Sequence, residues 1–301
     1  MSGSVQRPLF YGLGSIVLAG TAYSVLNSTY LDTSNPLLSH LPHPLSGEHY
    51  FASKSNILNV YFIKKAWGWT SAVFLLSWLT SPRQQLQGRG ASRRLARYLT
   101  LTAIWIVFTG WFFGPAILER FVAASGGQCV LPGPGDTPVV VPNEYCFTKS
   151  TISADSHPEL FVQSSTTAGG DENPLNPLQL IKGVPRLRMG HDVSGHIFLL
   201  TMSILLLADQ LQASFKVDQK YWSTLHTVSV GVNTLLIAVW MWASAMTSVY
   251  FHSPLEKLTG FALGYAAYSL TDVLLSLIFG ADTHTQSAAQ AVPQNAKGKA
   301  Q

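Results

Sequence analysis

Long uncharged stretches constrain this chain more than any other feature, because a membrane-crossing helix needs about 20 mostly apolar residues. Pro8–Leu26 and Tyr98–Leu118 contain no Asp, Glu, Lys or Arg, Thr224–Tyr250 has only His226 as a potential charge, and Leu258–Phe279 has Asp272 alone. Val193–Leu211 is apolar from Ile197 to Ala208, with His196 near one end and Asp209 near the other. Ile57–Thr80 is the least regular: Ala66–Thr80 is too short alone, and extending it through Val60–Ile63 takes in Lys64 and Lys65. Six spans follow, at about 8–26, 57–80, 98–118, 193–211, 224–250 and 258–279, in one membrane domain covering residues 1–301. Charged residues make up only 11% of the chain, against about 25% in soluble proteins. A disordered chain, a disulfide-rich secreted module and a soluble two-domain enzyme are thereby excluded. The net charge of +4 supports no nucleic-acid partner.

Short-loop basic residues stay on the cytoplasmic side. The segment Ser81–Arg97 reads as such a loop, with Arg83, Arg89, Arg93, Arg94 and Arg97 and no acid. Gln212–Ser223 adds Lys216 and Lys220, and the tails add Arg7, Lys297 and Lys299. Six spans put all of these on one face, so both termini are expected to be cytoplasmic. The other face receives Asn27–Asn56, a long lumenal loop at 119–192 and the turn at Phe251–Lys257.

That long loop holds the only two cysteines, Cys129 and Cys146. They either form a disulfide, as an oxidising lumen would allow, or remain unpaired thiols in a flexible loop. Pro132–Gly135 and Thr166–Asn176 read as irregular chain. Asn27-Ser28-Thr29 is a glycosylation sequon close to the first span. The tail, 281–301, ends Lys297-Gly298-Lys299-Ala300-Gln301, similar to a di-lysine retrieval signal.

Ionisable residues beside a span are costly and point to function. Arg186-Leu187-Arg188-Met189-Gly190-His191-Asp192-Val193-Ser194-Gly195-His196 approaches the fourth span, and Phe251-His252-Ser253-Pro254-Leu255-Glu256-Lys257 enters the sixth. Both fall on the lumenal edge, so two distant histidines can face each other. Neutral imidazole is a nucleophile near pH 7 and its protonated form an acid, which suits phosphoryl transfer. Arg186, Arg188, Lys64, Lys65 and Lys257 are the cations available for phosphoryl oxygens. No HExxH or CxxC pattern is present, and neither a metal nor a cofactor is implied.

Ser194-Gly195-His196 resembles the second motif of the lipid phosphate phosphatase superfamily, and His252-Ser253-Pro254-Leu255-Glu256 its third, with Glu in place of Asp. More closely, three blocks resemble the fat storage-inducing transmembrane (FIT) family. They are Tyr61-Phe62-Ile63-Lys64-Lys65-Ala66-Trp67-Gly68-Trp69, Asp192-Val193-Ser194-Gly195-His196-Ile197-Phe198-Leu199-Leu200 and Tyr250-Phe251-His252-Ser253-Pro254-Leu255-Glu256-Lys257. The resemblance implies an all-α integral membrane protein with a lipid-phosphatase-like bundle, in the endoplasmic reticulum membrane, its active site toward the lumen. It also implies cleavage of fatty acyl-CoA to acyl-4′-phosphopantetheine and 3′,5′-adenosine bisphosphate, and support of lipid-droplet formation, with di- and triacylglycerol as candidate lipid partners. His252 would be the nucleophile, His196 the general acid, and Glu256 would orient His252. The superfamily's first motif is absent, and the Ser-Arg pair expected before the third-motif histidine falls on Ala245 and Met246. Phosphate recognition therefore falls by chemistry to Lys64, Lys65, Arg186, Arg188, Ser194, Gly195 and Lys257.

Structural roles compete with these. Ser253-Pro254-Leu255-Glu256 is a strong helix start with a capping box, which favours a capping role for Glu256. Asp192 either pairs with His196 four residues on or caps the fourth span. Ser194 and Gly195 could serve close helix packing. His40, His43 and His49 read as solvated, Asp272 as half of a structural pair, and Lys64 and Lys65 as snorkelling. The competing activities are a phosphatidate or lysophosphatidate phosphatase and a non-catalytic neutral-lipid-binding protein of droplet biogenesis.

Overall fold

The computed structural model describes residues 4–31, 42–86, 89–110, 115–132, 138–148, 150–153, 155–162 and 182–280. His40, Thr166–Asn176, residues 111–114 of the third expected span and the tail with Lys297 and Lys299 lie outside them. The helices are α1 (Gln6–Leu26), α2 (Ala66–Leu79), α3 (Arg83–Leu86), α4 (Arg89–Thr109), α5 (Ile117–Ala124), α6 (Asn143–Thr148), α7 (Glu159–Val162), α8 (Gly195–Phe215), α9 (Thr224–Tyr250) and α10 (Pro254–Phe279). Five strands accompany them: β1 (Gln128–Pro132), β2 (Pro138–Val141), β3 (Ile152–Ser153), β4 (Lys182–Gly183) and β5 (Arg186–Arg188).

Helices α1, α2, α4, α8, α9 and α10 alternate in direction, as contacts at their two ends establish. At one end Gln6 Nε2 donates to Tyr268 Oη (2.6 Å) and Arg97 pairs with both Asp209 and Asp272. At the other, Lys257 Nζ donates to Ser24 Oγ (2.8 Å) and the Leu31 N–H to the Tyr250 carbonyl (3.0 Å). Helix α8 is apolar around nearly its whole circumference and therefore occupies the centre; Ile197, Phe198, Leu200, Met202 and Ile204–Leu207 are wholly buried.

Helices α1, α8, α9 and α10 are long and apolar enough to cross a membrane. Helix α2 spans only 14 residues, because the chain before it is a π turn (Leu58–Phe62) and a 3-10 turn (Ile63–Lys65). Helix α4 starts well before Tyr98, which corrects the reading of 81–97 as a basic loop. Its arginines are tolerated in a helix because they find partners: Arg94 Nη1 donates to Gln210 Oε1 (3.2 Å), Arg97 bridges the two aspartates, and Arg93 lies 3.3 Å from Asp272. The expected structural pair of Asp272 is thus with Arg97 and Arg93.

The segment before α8 folds beside the bundle. β1 pairs antiparallel with β2 on one side and β5 on the other. Cys129 and Cys146 form a disulfide, with Cα atoms 5.7 Å apart, which resolves the alternatives left by the sequence. It ties α6 to β1 over a small core of Leu131, Val141 and Ile152. This sheet is absent from the sequence reading; Val139-Val140-Val141 on β2 is the β-branched run that favours it. Loss of the bridge in Cys129→Ser/Cys146→Ser is expected to raise hydrogen exchange in 128–141 and 186–188 and leave α8–α10 protected.

Two glycines on α10 set how closely it approaches α8. A Cβ on Gly260 would lie 2.6 Å from the Ser194 carbonyl oxygen, and one on Gly264 2.7 Å from that of Phe198. This is a small-xxx-small contact. The close-packing role read for Gly195 passes to them, since a Cβ on Gly195 would meet only Leu118, at 3.8 Å. Gly260→Ala and Gly264→Ala are each expected to cost about 1–3 kcal/mol by overpacking. Thermal unfolding in detergent measures this, with Gly231→Ala, inside α9 where a Cβ meets nothing within 4 Å, leaving the midpoint no lower than wild type.

Candidate active site

The two motif segments meet where α8 and α10 begin. Upstream of α8, Met189 and Gly190 both have positive φ (58° and 77°). A Cβ on Gly190 would sit 2.5 Å from the Val122 carbonyl oxygen, so only glycine fits the turn that carries β5 toward the bundle. Ser194 then caps α8, its Oγ accepting the Ile197 N–H (3.4 Å). Upstream of α10, Ser253 is the N-cap and Pro254 the first helical residue. Between α9 and that cap stands His252 with φ +63°, a left-handed conformation that is uncommon outside glycine and clusters at functional sites.

Glu256 joins these pieces. Its carboxylate is 2% exposed and accepts the Ser253 N–H at Oε2 (2.8 Å) and the Asp192 N–H at Oε1 (3.3 Å). Its main-chain carbonyl accepts the Ser194 N–H (3.0 Å). The same Oε2 lies 3.4 Å from His252 Nδ1, close enough to pair but outside hydrogen-bond alignment. Capping and contact with His252, weighed against each other from sequence, are both present. His196, on the first turn of α8, lies in electrostatic range of His252 and of Lys64.

Asp192 lies outside α8, and Ser194 takes the capping role considered for it. Asp192 is exposed and lines a recess. The surrounding protein raises its carboxyl above the ordinary range, as does Glu256, while His252, Arg188 and His191 pull the other way. The recess, about 160 Å³, is lined by Arg188, Asp192, Glu119, Leu118 and Met189 among others. His191 Nε2 lies 2.9 Å from Thr259 Oγ1 on the first turns of α10.

Two expected substrate contacts, Lys257 and Ser194, are buried in structural roles. Lys257 is wholly buried, its Nζ donating to Ser24 Oγ and the Ser248 carbonyl (2.7 Å) under the Tyr30 ring, so it clamps α1, α9 and α10 together. Ser194 is also wholly buried, with its hydroxyl used in the cap. Lys65 is exposed, with its Nζ 5.9 Å from the centre of the Tyr61 ring. Lys64 and Arg186 are exposed and Arg188 is half-buried. No set of three or more His, Cys, Asp or Glu among the described residues could hold a metal ion.

His43, expected to be solvated, is buried. Its Nε2–H is shared between the carbonyls of Thr29 (3.0 Å) and Tyr250 (2.9 Å), and its Nδ1 accepts the Leu45 N–H (3.1 Å). Two carbonyl acceptors and one N–H donor fix the neutral Nε2-protonated form. Thr29 Oγ1 donates to the Val249 carbonyl (2.8 Å), so the last residue of the sequon is bound to the end of α9. These contacts grip α9 immediately before His252. Lys54, likewise missed, lies in electrostatic range of Arg186 and Arg188. Neither residue has a motif; only their neighbours in space identify them.

Comparison with known proteins bears on these residues. The family model described as Fat storage-inducing transmembrane protein matches residues 47–230 and 215–271, which include both histidine blocks. Acyl-coenzyme A diphosphatase fit1 of Schizosaccharomyces pombe is 28% identical over 89% of this chain and 84% of its own. Acyl-coenzyme A diphosphatase FITM2 of Sus scrofa is 29% identical over 87% and 79%, and that of Homo sapiens 26% identical over 88% and 81%. No solved structure matches. With the family match running through both motif segments and most of the bundle, this chain belongs to the fat storage-inducing transmembrane protein family.

Proposed function

We propose that this protein is a membrane acyl-CoA diphosphatase. It would cleave the diphosphate of fatty acyl-CoA to acyl-4′-phosphopantetheine and 3′,5′-adenosine bisphosphate. What supports this reading is that His196 and His252 stand within electrostatic range of each other at the paired N-termini of α8 and α10, in a chain whose relatives are named acyl-coenzyme A diphosphatases. Two helix N-termini on one side favour an anion. A small rotation that aligned His252 Nδ1 with Glu256 Oε2, 3.4 Å away, would keep the proton on that nitrogen and leave Nε2 free to attack phosphorus. The Nε2–P bond forms as the bridging P–O bond breaks; His196 supplies the proton to the departing phosphate, and water then hydrolyses the phosphohistidine. Lys64 lies where it can offset charge on the phosphoryl oxygens.

In this reading α1, α4, α8, α9 and α10 cross the bilayer, and α2 does so together with the turns that precede it. Arg93, Arg94 and Arg97 stay with both termini at the cytoplasmic end, and the histidines face the lumen of the endoplasmic reticulum. The disulfide suits an oxidising compartment. Acyl chains would enter the bundle from the lipid, and the reaction would serve lipid-droplet formation and reticulum lipid homeostasis.

With purified protein, His252→Ala is expected to lower acyl-CoA hydrolysis about a thousandfold or more, and His196→Ala about 100- to 10,000-fold, at unchanged expression and thermal stability. Retained cleavage by His252→Ala overturns the nucleophile assignment. Faster turnover of phosphatidate or lysophosphatidate than of acyl-CoA by wild type moves the substrate to a monoester. Droplet rescue in cells by both variants would favour a non-catalytic lipid-binding role.

His43 is a positioning residue in the same scheme. Its replacement by Ala is expected to lower kcat about 10- to 100-fold through displacement of His252, with KM little changed. Gln, whose amide can donate to the same carbonyls, recovers part of the loss. Burial holds the His43 imidazole below the usual 6.5, and the charge on Lys54 acts with it, against the hydrogen bonds to Tyr250 and Thr29. The unfolded chain takes up that proton near 6.5 and the folded chain resists it. Stability is therefore full above that pH and declines below it. Acid unfolding curves should show a smaller decline for His43→Gln than for wild type.

A further inference from the structure

The recess beside the candidate active site holds a guanidinium and a carboxylate that the fold leaves without partners. Arg188 of β5 and Asp192 both line it. Among the described residues neither side chain forms a hydrogen bond or an ion pair, with the other or with anything else. Apolar walls come from Leu118 and Val122 of α5 and from Leu187 and Met189. Glu119 also reaches the recess, but its Oε2 is engaged at the start of α5, where it accepts the Ala116 N–H (3.3 Å). The fold itself fixes these walls. Leu187 is paired with Cys129 of β1, the Gly127 N–H donates to the Val122 carbonyl (2.9 Å), and Ser125 Oγ accepts the His191 N–H (2.7 Å). A short run of contacts joins the recess to the candidate nucleophile: the Asp192 N–H donates to Glu256 Oε1 (3.3 Å), and Glu256 Oε2 lies 3.4 Å from His252 Nδ1.

We infer that this recess receives the adenine ring of the acyl-CoA nucleotide, with Asp192 accepting from the exocyclic amine and Arg188 donating to a neighbouring ring nitrogen. The assignment rests on the diphosphatase reading above. Two carboxylates to one guanidinium disfavour a phosphate here and favour a neutral group. Adenine sets an N–H donor beside a ring-nitrogen acceptor on one edge, and its flat faces suit apolar walls. Side chains of opposite sign that do not meet leave a donor and an acceptor for such an edge to satisfy. At about 160 Å³ the recess is smaller than the roughly 300–1,000 Å³ of pockets that enclose a drug-sized ligand, so it takes one ring system or a short polar segment and not an acyl chain. The base takes no part in bond breaking, so its binding energy is available to position the reacting diphosphate against His252. An amide of the pantetheine arm offers the same pairing of donor and acceptor, and the experiment separates the two.

Hydrolysis of a fatty acyl-CoA is compared in neutral detergent with that of its hypoxanthine counterpart, in which a carbonyl replaces the exocyclic amine. Wild type is expected to lose about 10- to 100-fold in kcat/KM on the hypoxanthine substrate, because that carbonyl would face the Asp192 carboxylate. Asp192→Asn, whose amide can donate or accept, should bring the two substrates within about threefold of each other. In addition, 3′,5′-adenosine bisphosphate should inhibit Arg188→Gln less than it inhibits wild type, while acyl-4′-phosphopantetheine inhibits both alike. Equal use of the two substrates by wild type overturns the adenine subsite while leaving the diphosphatase reading intact, and needs no variant that might misfold. Undiminished discrimination by folded Asp192→Asn overturns it as well. The reverse inhibition pattern, with acyl-4′-phosphopantetheine alone weakened by Arg188→Gln, overturns it in favour of the pantetheine arm. Absence of hydrolysis of either substrate by folded wild type instead removes the diphosphatase reading, and the subsite with it.

Discussion

Two helices that point the same way bring two positive poles together, and here the buried carboxylate of Glu256 lies between them. Helices α8 and α10 start side by side, and each N-terminus carries roughly half a positive charge on its unsatisfied N–H groups. Glu256 receives N–H donors from Ser253 and Asp192, while its own carbonyl receives that of Ser194. Without the carboxylate, two main-chain donors would be left beside the same positive field. The group that resolves this problem of folding is also the one against His252 Nδ1. The carboxylate that caps α10 is therefore the same one that lies against His252.

That arrangement requires α8 and α10 to keep a fixed register along their length. Gly260 and Gly264 set their separation near the site, where main chain meets main chain. At the far end Arg97 reaches Asp209 on α8 and Asp272 on α10 together. Buried charges of this kind add little net stability, because desolvation offsets their attraction. Their effect is on alternatives: a slip of one helical turn would separate Arg97 from both acids and drive the α10 glycines against larger side chains. An apolar substitute would pack as well without excluding the slip.

Much of the bundle was legible because periodicity and missing charge are local properties of the chain. The starts of α9 and α10 fall within a few residues of their expected positions, and both histidine motifs lie where α8 and α10 begin. Helix α4 departs from expectation because isolated arginines read as a loop, whereas Asp209 and Asp272, more than a hundred residues away in sequence, accommodate them. His43 departs for the same reason: it looks solvated until Thr29 and Tyr250 are brought to it. Lys257 offers the opposite lesson. Its place in the motif suggested substrate contact, yet Ser24 and Ser248 enclose it. The Gly260-x-x-x-Gly264 spacing was readable as a close-packing signal, though nothing local tells which helix it meets.

The positive φ of His252 shows how far the site depends on parts that carry no chemistry. A left-handed histidine costs about 1–3 kcal/mol and persists only where its surroundings over-determine it. On one side Thr29, Leu31 and His43 grip the carbonyls of Val249 and Tyr250; on the other Ser253 and Glu256 fix the start of α10. The conformation of His252 thus depends on the apolar bundle and its caps. The cations nearest the site come from β5 and the loops around α2, which lie outside the long helices. Those outer pieces pack outside the helices and caps that hold His252 in place.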